Sequence, residues 1–600
     1  MSNSEIKNRR DIDQKYKWDI ESMFPDEKDW EKDFAEAISM AEKYGSYAGR
    51  LAESPATLLK ALQEKDAIWQ KAEKVYVYAR MRRDEDNRET RYQGMADRCH
   101  GMLAQISSAT AFFTPELLEI PKEKLLSFLD QEPGLKVYSH YLDILLREKE
   151  HVLSHSEEKL LAQVGEITAS TNDIFTMLND ADIAFGQIKD EDGKDVTLTH
   201  GNYINFMECH DREVRKAAYD AMYEAYKKQI NTISTTYNYN TKTDVVFSKI
   251  RKYPSSLEAS LSGDNIDQSV YHNLIKVVND NLGALHRYIN LRKKLLGVDE
   301  LKMYDVYVPL VKIPNREIPY EEGLNIIRDA LSVLGDEYVD RMNKGIADKW
   351  IDVYENQGKT SGAYSFGSYD SKPFILLNYA GKIKDVFTII HEMGHSMHSS
   401  YTREAQPFVY GSHSIFTAEV ASTVNESLLI NYLLEKETDP DMRRYLLNLH
   451  IEEFRTTLFR QTMFAEFELL THQEVEKGGV LTAKWLCDTY EKLNSKYFGD
   501  AIGEDDYIKY EWARIPHFYN AYYVYQYATG YSAATAIAGK ILSEGMPAVE
   551  AYKKFLTTGE SDYPVELLKI AGVDMSSPEP VKLAMKKFES LVDEFEKLSL

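Results

Sequence analysis

The sequence predicts a mainly α-helical protein with a small β-sheet near the middle of the chain. Apolar residues recur every three or four positions over long segments such as ATLLKALQEKDAIWQKAEKVYVYARMRRDED at 56–86, which is the period of an amphipathic helix. Glycine and proline, with 30 and 17 copies among 600 residues, are sparse and gather at breaks such as KYPSSLEASLSGDN. The segment GAYSFGSYDSKPFILLNY at 362–379 instead has the short apolar run between turn residues that is typical of strands.

Local patterns predict where these elements begin and end. The segment 185–203 is predicted to contain a short hairpin, with the Asp-Gly of KDEDGKD as its turn. In the central segment, Pro373 marks the start of a strand and Gly381 marks the end of the strand region. Asp385 is positioned to cap the helix that follows. The expected local order is therefore strand, turn and helix.

Length and charge limit the possible classes of protein. A chain of 600 residues exceeds the size of one hydrophobic core, so several lobes are expected. Candidate boundaries lie near 110–120 and 185–203. With 72 Lys and Arg against 96 Asp and Glu, the net charge is −24. This charge argues against nucleic acid and anionic membranes as partners.

The sequence also predicts a cytoplasmic location. Cys99, Cys209 and Cys487 are far apart and form no CxxC pair, which suits a reducing compartment. The segment MSNSEIKNRRDIDQKYKWDIESMF has no apolar region of the kind found in signal peptides. No stretch reaches the ~18 apolar residues of a membrane helix. We therefore expect a soluble protein with no membrane partner.

The segment FTIIHEMGHSMHSS at 387–400 combines an apolar helical pattern with three histidines. The apolar residues share one stripe at helical spacing: Val386, Ile390, Met393 and Met397. His391 and His395 lie four residues apart on another stripe, so their imidazoles can converge on one ion. Glu392 completes an HExxH pattern, in which it acts as general base. The alternative is a core helix with hydrogen-bonded histidines, but HExxH is expected by chance only roughly 0.06 times in this composition.

A catalytic zinc needs a third protein ligand, and two candidates exist. His398 shares the stripe of His391 but lies nearly two turns further along the helix, which strains convergence on one ion. Glu419 belongs to a second predicted helix, SIFTAEVASTVNESLLI. The apolar stripe of that helix is Phe416, Val420, Val424 and Leu428. We predict Glu419 as the ligand, with Glu426 and Asn425 orienting the histidines and His398 in a supporting position.

The segment RIPHFYNAYYVYQYATGYSAA at 514–534 is a candidate source of hydrogen-bond donors for an oxyanion. It contains His517 and tyrosines at intervals of three: Tyr519, Tyr522 and Tyr525. The chain has 41 tyrosines, and an aromatic stripe usually packs in a core. A catalytic and a structural interpretation therefore both stay open for these residues.

These motifs together resemble the M3 family of zinc metallopeptidases, most closely its bacterial oligoendopeptidase F branch. The resemblance rests on HEMGHSMHS, TAEVASTVNE, HFYNAYYVYQYATGYSAA and YKWDIESMFPDEKDWEKDF, and it covers nearly the whole chain. It implies a two-lobed, helical, zincin-like fold with a small sheet at the active site and a deep substrate channel. The implied domains are an N-terminal helical region (1–112), an oligoendopeptidase F-type helical domain (113–200) and an M3-type catalytic domain (201–600).

The resemblance implies that His391, His395 and Glu419 bind one Zn²⁺, and that Glu392 activates water for attack on the scissile carbonyl. Family members cut short peptides, because a narrow channel excludes folded proteins. The predicted function is therefore a zinc-dependent oligoendopeptidase that hydrolyses internal bonds of short peptides.

Substrate-facing residues follow from the same resemblance. A peptide could add as an edge strand along residues that line the cleft: Gly362, Ala363 and Tyr364. His517 and a nearby tyrosine match the family's oxyanion-stabilising pair, where Tyr525 aligns best and Tyr522 next. In the mammalian branch a glycine-rich loop separates this histidine from its tyrosines, whereas HFYNAYYVY has no glycine. That departure leaves the identity of the tyrosine open, with Tyr519 as a further candidate.

Three alternatives remain at the level of sequence. A peptidyl-dipeptidase or carboxypeptidase would need a group such as Arg514 to capture a terminal carboxylate. A non-catalytic, zinc-containing peptide-binding protein would keep the metal without turnover, although the intact Glu392 argues against it. A structural zinc site usually has four protein ligands, commonly including Cys, and no cysteine is near. The expected partners are oligopeptides, and both a monomer and a dimer are open.

Overall fold

The computed structural model of the protein describes residues 6–312 and 316–600. Most of these residues lie in α-helices, so the predicted mainly α class is confirmed. The helices are α1 (Glu27–Tyr44), α2 (Pro55–Glu85), α3 (Thr90–Thr110), α4 (Phe113–Glu119), α5 (Lys122–Gln131), α6 (Ser139–Glu148), α7 (His155–Thr176), α8 (His200–Met207), α9 (Arg212–Ile250), α10 (Ser256–Ser262), α11 (Gln268–Asp280), α12 (Leu282–Leu296), α13 (Tyr320–Leu331), α14 (Asp336–Ala347), α15 (Ile383–Ala405), α16 (Ile415–Lys436), α17 (Pro440–Glu453), α18 (Arg460–Glu476), α19 (Ala483–Phe498), α20 (Tyr525–Glu544), α21 (Met546–Leu556), α22 (Pro564–Ile570) and α23 (Glu579–Ser599).

Short strands form two small sheets in the described part of the chain. The strands are β1 (Gln187–Lys189), β2 (Asp195–Thr197), β3 (Ile351–Asp352), β4 (Tyr364–Phe366) and β5 (Phe374–Leu376). β1 and β2 pair antiparallel around Gly193 at φ 77°, which confirms the predicted hairpin. The second sheet has the order β3-β5-β4, with β3 parallel and β4 antiparallel to β5. β5 begins directly after Pro373, as predicted, and β4 is an edge strand.

The chain forms two compact units. Unit 1 comprises Met1–Glu150, Arg316–Asn431 and Ile537–Val573, and unit 2 comprises His151–Asn315, Tyr432–Ala536 and Asp574–Leu600. Each unit is therefore assembled from three separate stretches of sequence. The sequence domains predicted at 1–112, 113–200 and 201–600 stay predictions.

In unit 1, helices α1, α2 and α3 pack against one another. Helix α2 begins where the Ser54 hydroxyl accepts the N–H of Thr57, directly before a proline in the first turn. The buried core includes Trp18 and Trp30, at 1% and 0% exposure, and extends to Phe374 of β5. The small sheet is thus anchored to this core.

In unit 2, the long helix α9 packs against α7, α8, α18 and α19. It begins where the Asp211 carboxylate accepts backbone N–H groups of the first turn. The core of unit 2 contains several fully buried aromatic side chains: Tyr223, Tyr237, Tyr271, Tyr288 and Tyr490. In the ranges 6–312 and 316–600, no helix is long and apolar enough to span a membrane.

A buried ion cluster fixes the inner edge of the three-stranded sheet. Asp352 of β3 is 1% exposed. Its carboxylate lies 2.6 Å from Arg9 Nη2 and 2.7 Å from Nζ of Lys359, whose side chain is fully buried. Burial opposes ionisation of Asp352, but the charges of Lys359 and Arg9 hold its pKa below its ordinary value. The cluster joins the N-terminal segment to the sheet.

We predict that Asp352→Ala destabilises the protein by about 3–5 kcal/mol, because it leaves the buried Lys359 ammonium without its carboxylate. The measurement is the urea midpoint followed by circular dichroism. Asp11→Ala is the control. Among the residues that the structure describes, Asp11 forms an ion pair only with the exposed Arg10, at 3.8 Å, so its removal should change the midpoint little. Equal midpoints for the two variants would contradict the structural role of Asp352.

Candidate metal centre and active site

Helix α15 carries the HExxH pattern. It begins at Ile383, two residues before the predicted cap Asp385. The prediction is corrected in one respect: Asp385 caps from inside the first turn, where its carboxylate accepts the backbone N–H of Lys382 at 2.8 Å. The predicted apolar stripe is confirmed, with 0% exposure at Val386, Ile390, Met393 and Met397. This buried stripe fixes the direction in which the histidines face.

Helix α16 supplies the second half of the site. Its predicted apolar stripe is also confirmed, with at most 1% exposure at Phe416, Val420, Val424 and Leu428. Glu419 lies beside this stripe, and the Ser422 hydroxyl donates to Glu419 Oε2 at 3.2 Å. The stripe and the hydroxyl together hold the carboxylate in place.

Helices α15 and α16 meet backbone to backbone at Gly394. A β-carbon at this position would lie 2.5 Å from Cα of Ser422 and 2.8 Å from the carbonyl oxygen of Ala421. No residue with a side chain fits there unless one helix moves. The glycine of HEMGH therefore sets the separation at which Glu419 reaches the histidines.

Three side-chain donors converge between the two helices. The Nε2 atoms of His391 and His395 are 3.2 Å apart. Glu419 Oε2 lies 3.3 Å from His391 Nε2 and 3.4 Å from His395 Nε2. Within residues 6–312 and 316–600, this is the one group of three or more His, Cys, Asp or Glu side chains with the spacing of metal ligands.

The donor spacing fits a small metal ion. Tetrahedral zinc with bonds of about 2.0–2.1 Å requires ligand atoms about 3.3–3.4 Å apart. The observed separations of 3.2, 3.3 and 3.4 Å agree with this requirement. Two imidazole nitrogens and one carboxylate oxygen are also the donor set of catalytic zinc sites, which keep a fourth position open. The residues present therefore fit zinc.

The charges around the cluster favour a cation. Burial disfavours a charged imidazole, but hydrogen bonds to Glu419 and Glu426 raise the pKa of His391 well above its ordinary value. Burial also opposes ionisation of Glu419, but hydrogen bonds to His391 and His395 hold its pKa well below its ordinary value. Carboxylates that favour a proton on the His391 imidazole would also favour a metal ion in place of that proton.

Glu426 and Asn425 contact the turn of α15 that carries His391. Glu426 Oε1 lies 3.2 Å from Nδ1 of His391, which leaves Nε2 facing the cluster. The Asn425 side-chain amide donates to the carbonyl of Ile390 at 3.3 Å, and its oxygen accepts from the Tyr338 hydroxyl at 3.2 Å. Both residues thus lie where they can orient a histidine ligand.

Glu392 is 8% exposed and lines the same cavity as the cluster. Burial raises the pKa of its carboxyl, while the charges of His391 and His395 and the backbone N–H of Ser365 partly oppose the shift. A carboxyl with a raised pKa in a metal cavity suits proton transfer.

A cavity of about 390 Å³ opens at the cluster. Ala363 and Tyr364 line it, as predicted, but the Tyr364 hydroxyl already donates to Asp84 Oδ2 at 3.0 Å. Gly362 does not line this cavity, and its carbonyl accepts from the Asn378 amide at 2.8 Å. The Tyr364 hydroxyl is therefore already engaged within the protein.

His398 is 2% exposed and does not join the three-donor cluster. Its ring centroid lies 3.7 Å from that of His413 and 5.3 Å from that of Phe555. Burial lowers the pKa of both histidines, for His413 to about 3, so the pair is neutral. Sequence reasoning missed His413, which lines the cavity from a loop where no periodic pattern points to it.

The segment around His517 lies in unit 2. His517 is exposed, and its ring centroid lies 6.0 Å from those of Tyr523 and Tyr527. The Tyr527 hydroxyl is 3.5 Å from His517 Nε2. The predicted partners Tyr525 and Tyr522 are instead 2% and 1% exposed and pack inward. The backbone at Tyr522 is left-handed, with φ 54°, and this interrupts the helical spacing by which Tyr522 and Tyr525 were grouped.

Comparison with known proteins identifies the family. The model of peptidase family M3 matches residues 205–587, and the model of oligopeptidase F matches residues 116–185. The chain belongs to peptidase family M3. It is 47% identical over 595 residues to oligopeptidase PepF of Bacillus subtilis (strain 168), an alignment that covers 99% of this chain and 89% of that protein.

Two solved structures, one of a peptidase and one of an oligoendopeptidase, support this membership. A peptidase from Chlamydophila abortus superimposes with a TM-score of 0.92 at 34% identity, covering 99% of this chain and 100% of that one. Oligoendopeptidase-F from Enterococcus faecium gives a TM-score of 0.75 at 38% identity, covering 95% and 99%. This M3 peptidase is therefore a metalloendopeptidase that acts on peptides and uses a metal cofactor.

We predict that Gly394→Ala weakens zinc binding about ten- to hundredfold, because the new methyl group pushes α16, and with it Glu419, away from the histidines. The measurement is competition with a chromophoric chelator. Gly101→Ala is the matched control, since Gly101 lies within α3 and a β-carbon there meets nothing within 4 Å. Equal zinc affinity in the two variants would show that the helix contact does not set the site.

Proposed function

We propose that this M3 peptidase is a zinc-dependent oligoendopeptidase that hydrolyses internal bonds of short peptides. The observation that supports it most is the convergence of His391, His395 and Glu419 beside the buried carboxyl of Glu392. In this proposal the first three residues hold one Zn²⁺. When bound, Zn²⁺ supplies Lewis acidity to water and to the scissile carbonyl.

Glu392 is the general base in this mechanism. Its carboxylate takes a proton from the attacking water and then passes it to the leaving amine. Its side chain is 8% exposed and lines the cavity that opens at the cluster, so the proton acceptor lies beside the site where water would be activated. Glu426 keeps His391 in its orientation through Nδ1.

We assign oxyanion stabilisation to the exposed His517 together with Tyr523 and Tyr527. The family resemblance supports His517 alone. Tyr527 is supported by its hydroxyl–imidazole contact of 3.5 Å, and Tyr523 by its ring, which stacks beside that of His517 at 6.0 Å. Although the residue is exposed, partial desolvation of its imidazole and the charge of Arg460 lower the pKa of His517. A neutral ring can donate one hydrogen bond without carrying charge. Tyr525 and Tyr522, which face the core, are replaced in this assignment.

The substrate is an oligopeptide bound in extended form. β4 is a sheet edge beside the cavity, and an edge strand pairs with an added peptide through backbone hydrogen bonds, independently of sequence. The backbone of Ala363 and Tyr364 serves this purpose. The substrate channel and the upper length limit stay predictions.

The exopeptidase alternative finds less support. Arg514 lies 3.2 Å from Glu511 Oε1, and its Nε donates to the Tyr223 hydroxyl at 3.2 Å. A guanidinium already paired in this way would have to release Glu511 before it captured a terminal carboxylate. A structural zinc site is also disfavoured, since the described residues supply three donors rather than four.

We further infer a cytoplasmic enzyme whose partners are oligopeptides and neither nucleic acid nor membrane. The support is the net charge of −24 and three free cysteines, Cys99, Cys209 and Cys487. Monomer and dimer are both compatible with this proposal.

The proposal predicts internal cleavage of short peptides by the zinc-loaded enzyme. Mass spectrometry would follow a mixture of peptides from about five residues upward together with a small folded protein, with and without a chelator. Chelator-sensitive internal cuts are expected in the short peptides, with the folded protein intact, and added zinc should restore activity. Release of only terminal dipeptides or single residues would favour the exopeptidase instead.

The matched variant is Glu392→Gln, which keeps the shape of the side chain but cannot accept the proton. It should bind zinc as the wild type does and lower turnover roughly 10²–10⁴-fold. Loss of zinc together with activity would contradict the assignment of Glu392 as base.

A further inference from the structure

Residues 516–527 turn sharply at Tyr522. Its φ of 54° lies in the left-handed region, which a bulky residue adopts only where its surroundings hold it. The Tyr522 ring is 1% exposed and lies 4.5 Å from the ring of His472. The next residue, Tyr523, is instead half-buried and stacks beside the exposed His517. The turn therefore decides which tyrosine stands next to His517.

Glu468 of α18 supports this turn from inside unit 2. Its side chain is 0% exposed, and Oε1 accepts the backbone N–H of Tyr522 at 2.9 Å. Without this bond the N–H would be buried and unsatisfied. The second oxygen, Oε2, has no hydrogen-bond partner among the described residues. Burying a carboxyl for one backbone bond is unfavourable for stability alone, which points to a role in function.

Other contacts hold the flanks of the same segment. The Ser260 hydroxyl donates to the carbonyl of Ala521 at 3.2 Å. The Tyr519 hydroxyl lies 2.8 Å from Oγ1 of Thr236, and its ring stacks on Phe175 at 4.4 Å. None of these contacts binds the N–H at the turn itself. That bond comes from Glu468.

We propose that Glu468 is a positioning residue for the group formed by His517, Tyr523 and Tyr527. By accepting the N–H of Tyr522, it fixes the turn that buries the Tyr522 ring and leaves Tyr523 beside His517. The inference rests on the proposed function, in which this group stabilises the oxyanion. Glu468 acts through the backbone and exchanges no proton with substrate.

The protonation state of Glu468 suggests how to test this role. Burial, reinforced by the charge of Asp244, raises the pKa of Glu468 well above its ordinary value, and the Tyr522 N–H opposes the shift only in part. The raised pKa favours the neutral carboxyl, in which a carbonyl oxygen accepts the Tyr522 N–H. Glutamine has the same acceptor and nearly the same shape, whereas leucine has a similar volume and no acceptor.

The experiment compares Glu468→Gln and Glu468→Leu in the full-length, zinc-loaded protein. Cleavage of a short fluorogenic peptide gives kcat and KM, and hydrogen exchange with mass spectrometry follows residues 516–527. Thr462→Val is the matched control, because Thr462 is 0% exposed on the same helix and its hydroxyl donates to Leu458 one turn away. If the leucine variant does not fold, Glu468→Met takes its place.

We expect Glu468→Leu to lower kcat by about ten- to hundredfold with little change in KM, because the donors are displaced while peptide binding is kept. Hydrogen exchange at 516–527 should accelerate in the same variant. Glu468→Gln and Thr462→Val should match the wild type in both measurements. Unchanged exchange in Glu468→Leu would overturn the proposal, and so would equal losses in the glutamine and leucine variants.

The same measurements distinguish a failure of the proposed peptidase function from a failure of the positioning role of Glu468. If the wild type cuts no peptide, the peptidase assignment fails, while hydrogen exchange still supports or overturns Glu468 as the residue that fixes the turn. If the wild type cuts peptides and His517→Ala cuts them equally well, the group has no catalytic role and the positioning proposal is overturned.

Discussion

The backbone contact between α15 and α16 at Gly394 is the constraint on which the metal centre depends. A β-carbon there would come within 2.5 Å of Ser422 Cα, so the helices can approach this closely only at glycine. The buried stripes of the two helices set their rotation, and the contact sets their separation. Because the rotation and the separation are both fixed, Glu419 Oε2 of α16 lies 3.3 Å from Nε2 of His391 and 3.4 Å from Nε2 of His395. The ligand geometry thus follows from packing before any metal arrives, which is how a rigid scaffold limits the reorganisation needed for binding.

Electrostatics adds a reason for this site to hold a cation. Glu392, Glu419 and Glu426 lie around the two histidines. Hydrogen bonds to Glu419 and Glu426 favour positive charge on His391, and hydrogen bonds from the two histidines favour an ionised Glu419. Removing all positive charge would leave carboxylates close together in a partly buried cavity, which is unfavourable. A metal ion offsets this repulsion, and anything that binds the folded state alone also stabilises it. The three-stranded sheet forms another part of the cavity wall. Asp352 anchors β3 of this sheet, and the edge strand β4 borders the cavity.

Features that depend on local periodicity were predictable from the sequence. The stripes of α15 and α16 follow from helical spacing, and they fix where His391 and His395 lie around one helix and where Glu419 lies around the other. Features that depend on an unusual backbone or on distant contacts were not predictable. Three-residue spacing pointed to Tyr522 and Tyr525, but one left-handed residue held by Glu468, 54 positions earlier, turns the segment and brings Tyr523 and Tyr527 to His517. His413 reaches the cavity from a loop. Each unit is built from three separate stretches of sequence, which only contacts between remote parts of the chain bring together.

We propose that His391, His395 and Glu419 bind the metal of this M3 peptidase. Anomalous diffraction from crystals of the zinc-loaded protein, recorded on both sides of the zinc absorption edge, tests it most directly. We predict one anomalous peak between α15 and α16, about 2.0–2.2 Å from Nε2 of each histidine and from a Glu419 oxygen. A peak bound by other side chains, or an active zinc-loaded enzyme with no peak at these three residues, would contradict it.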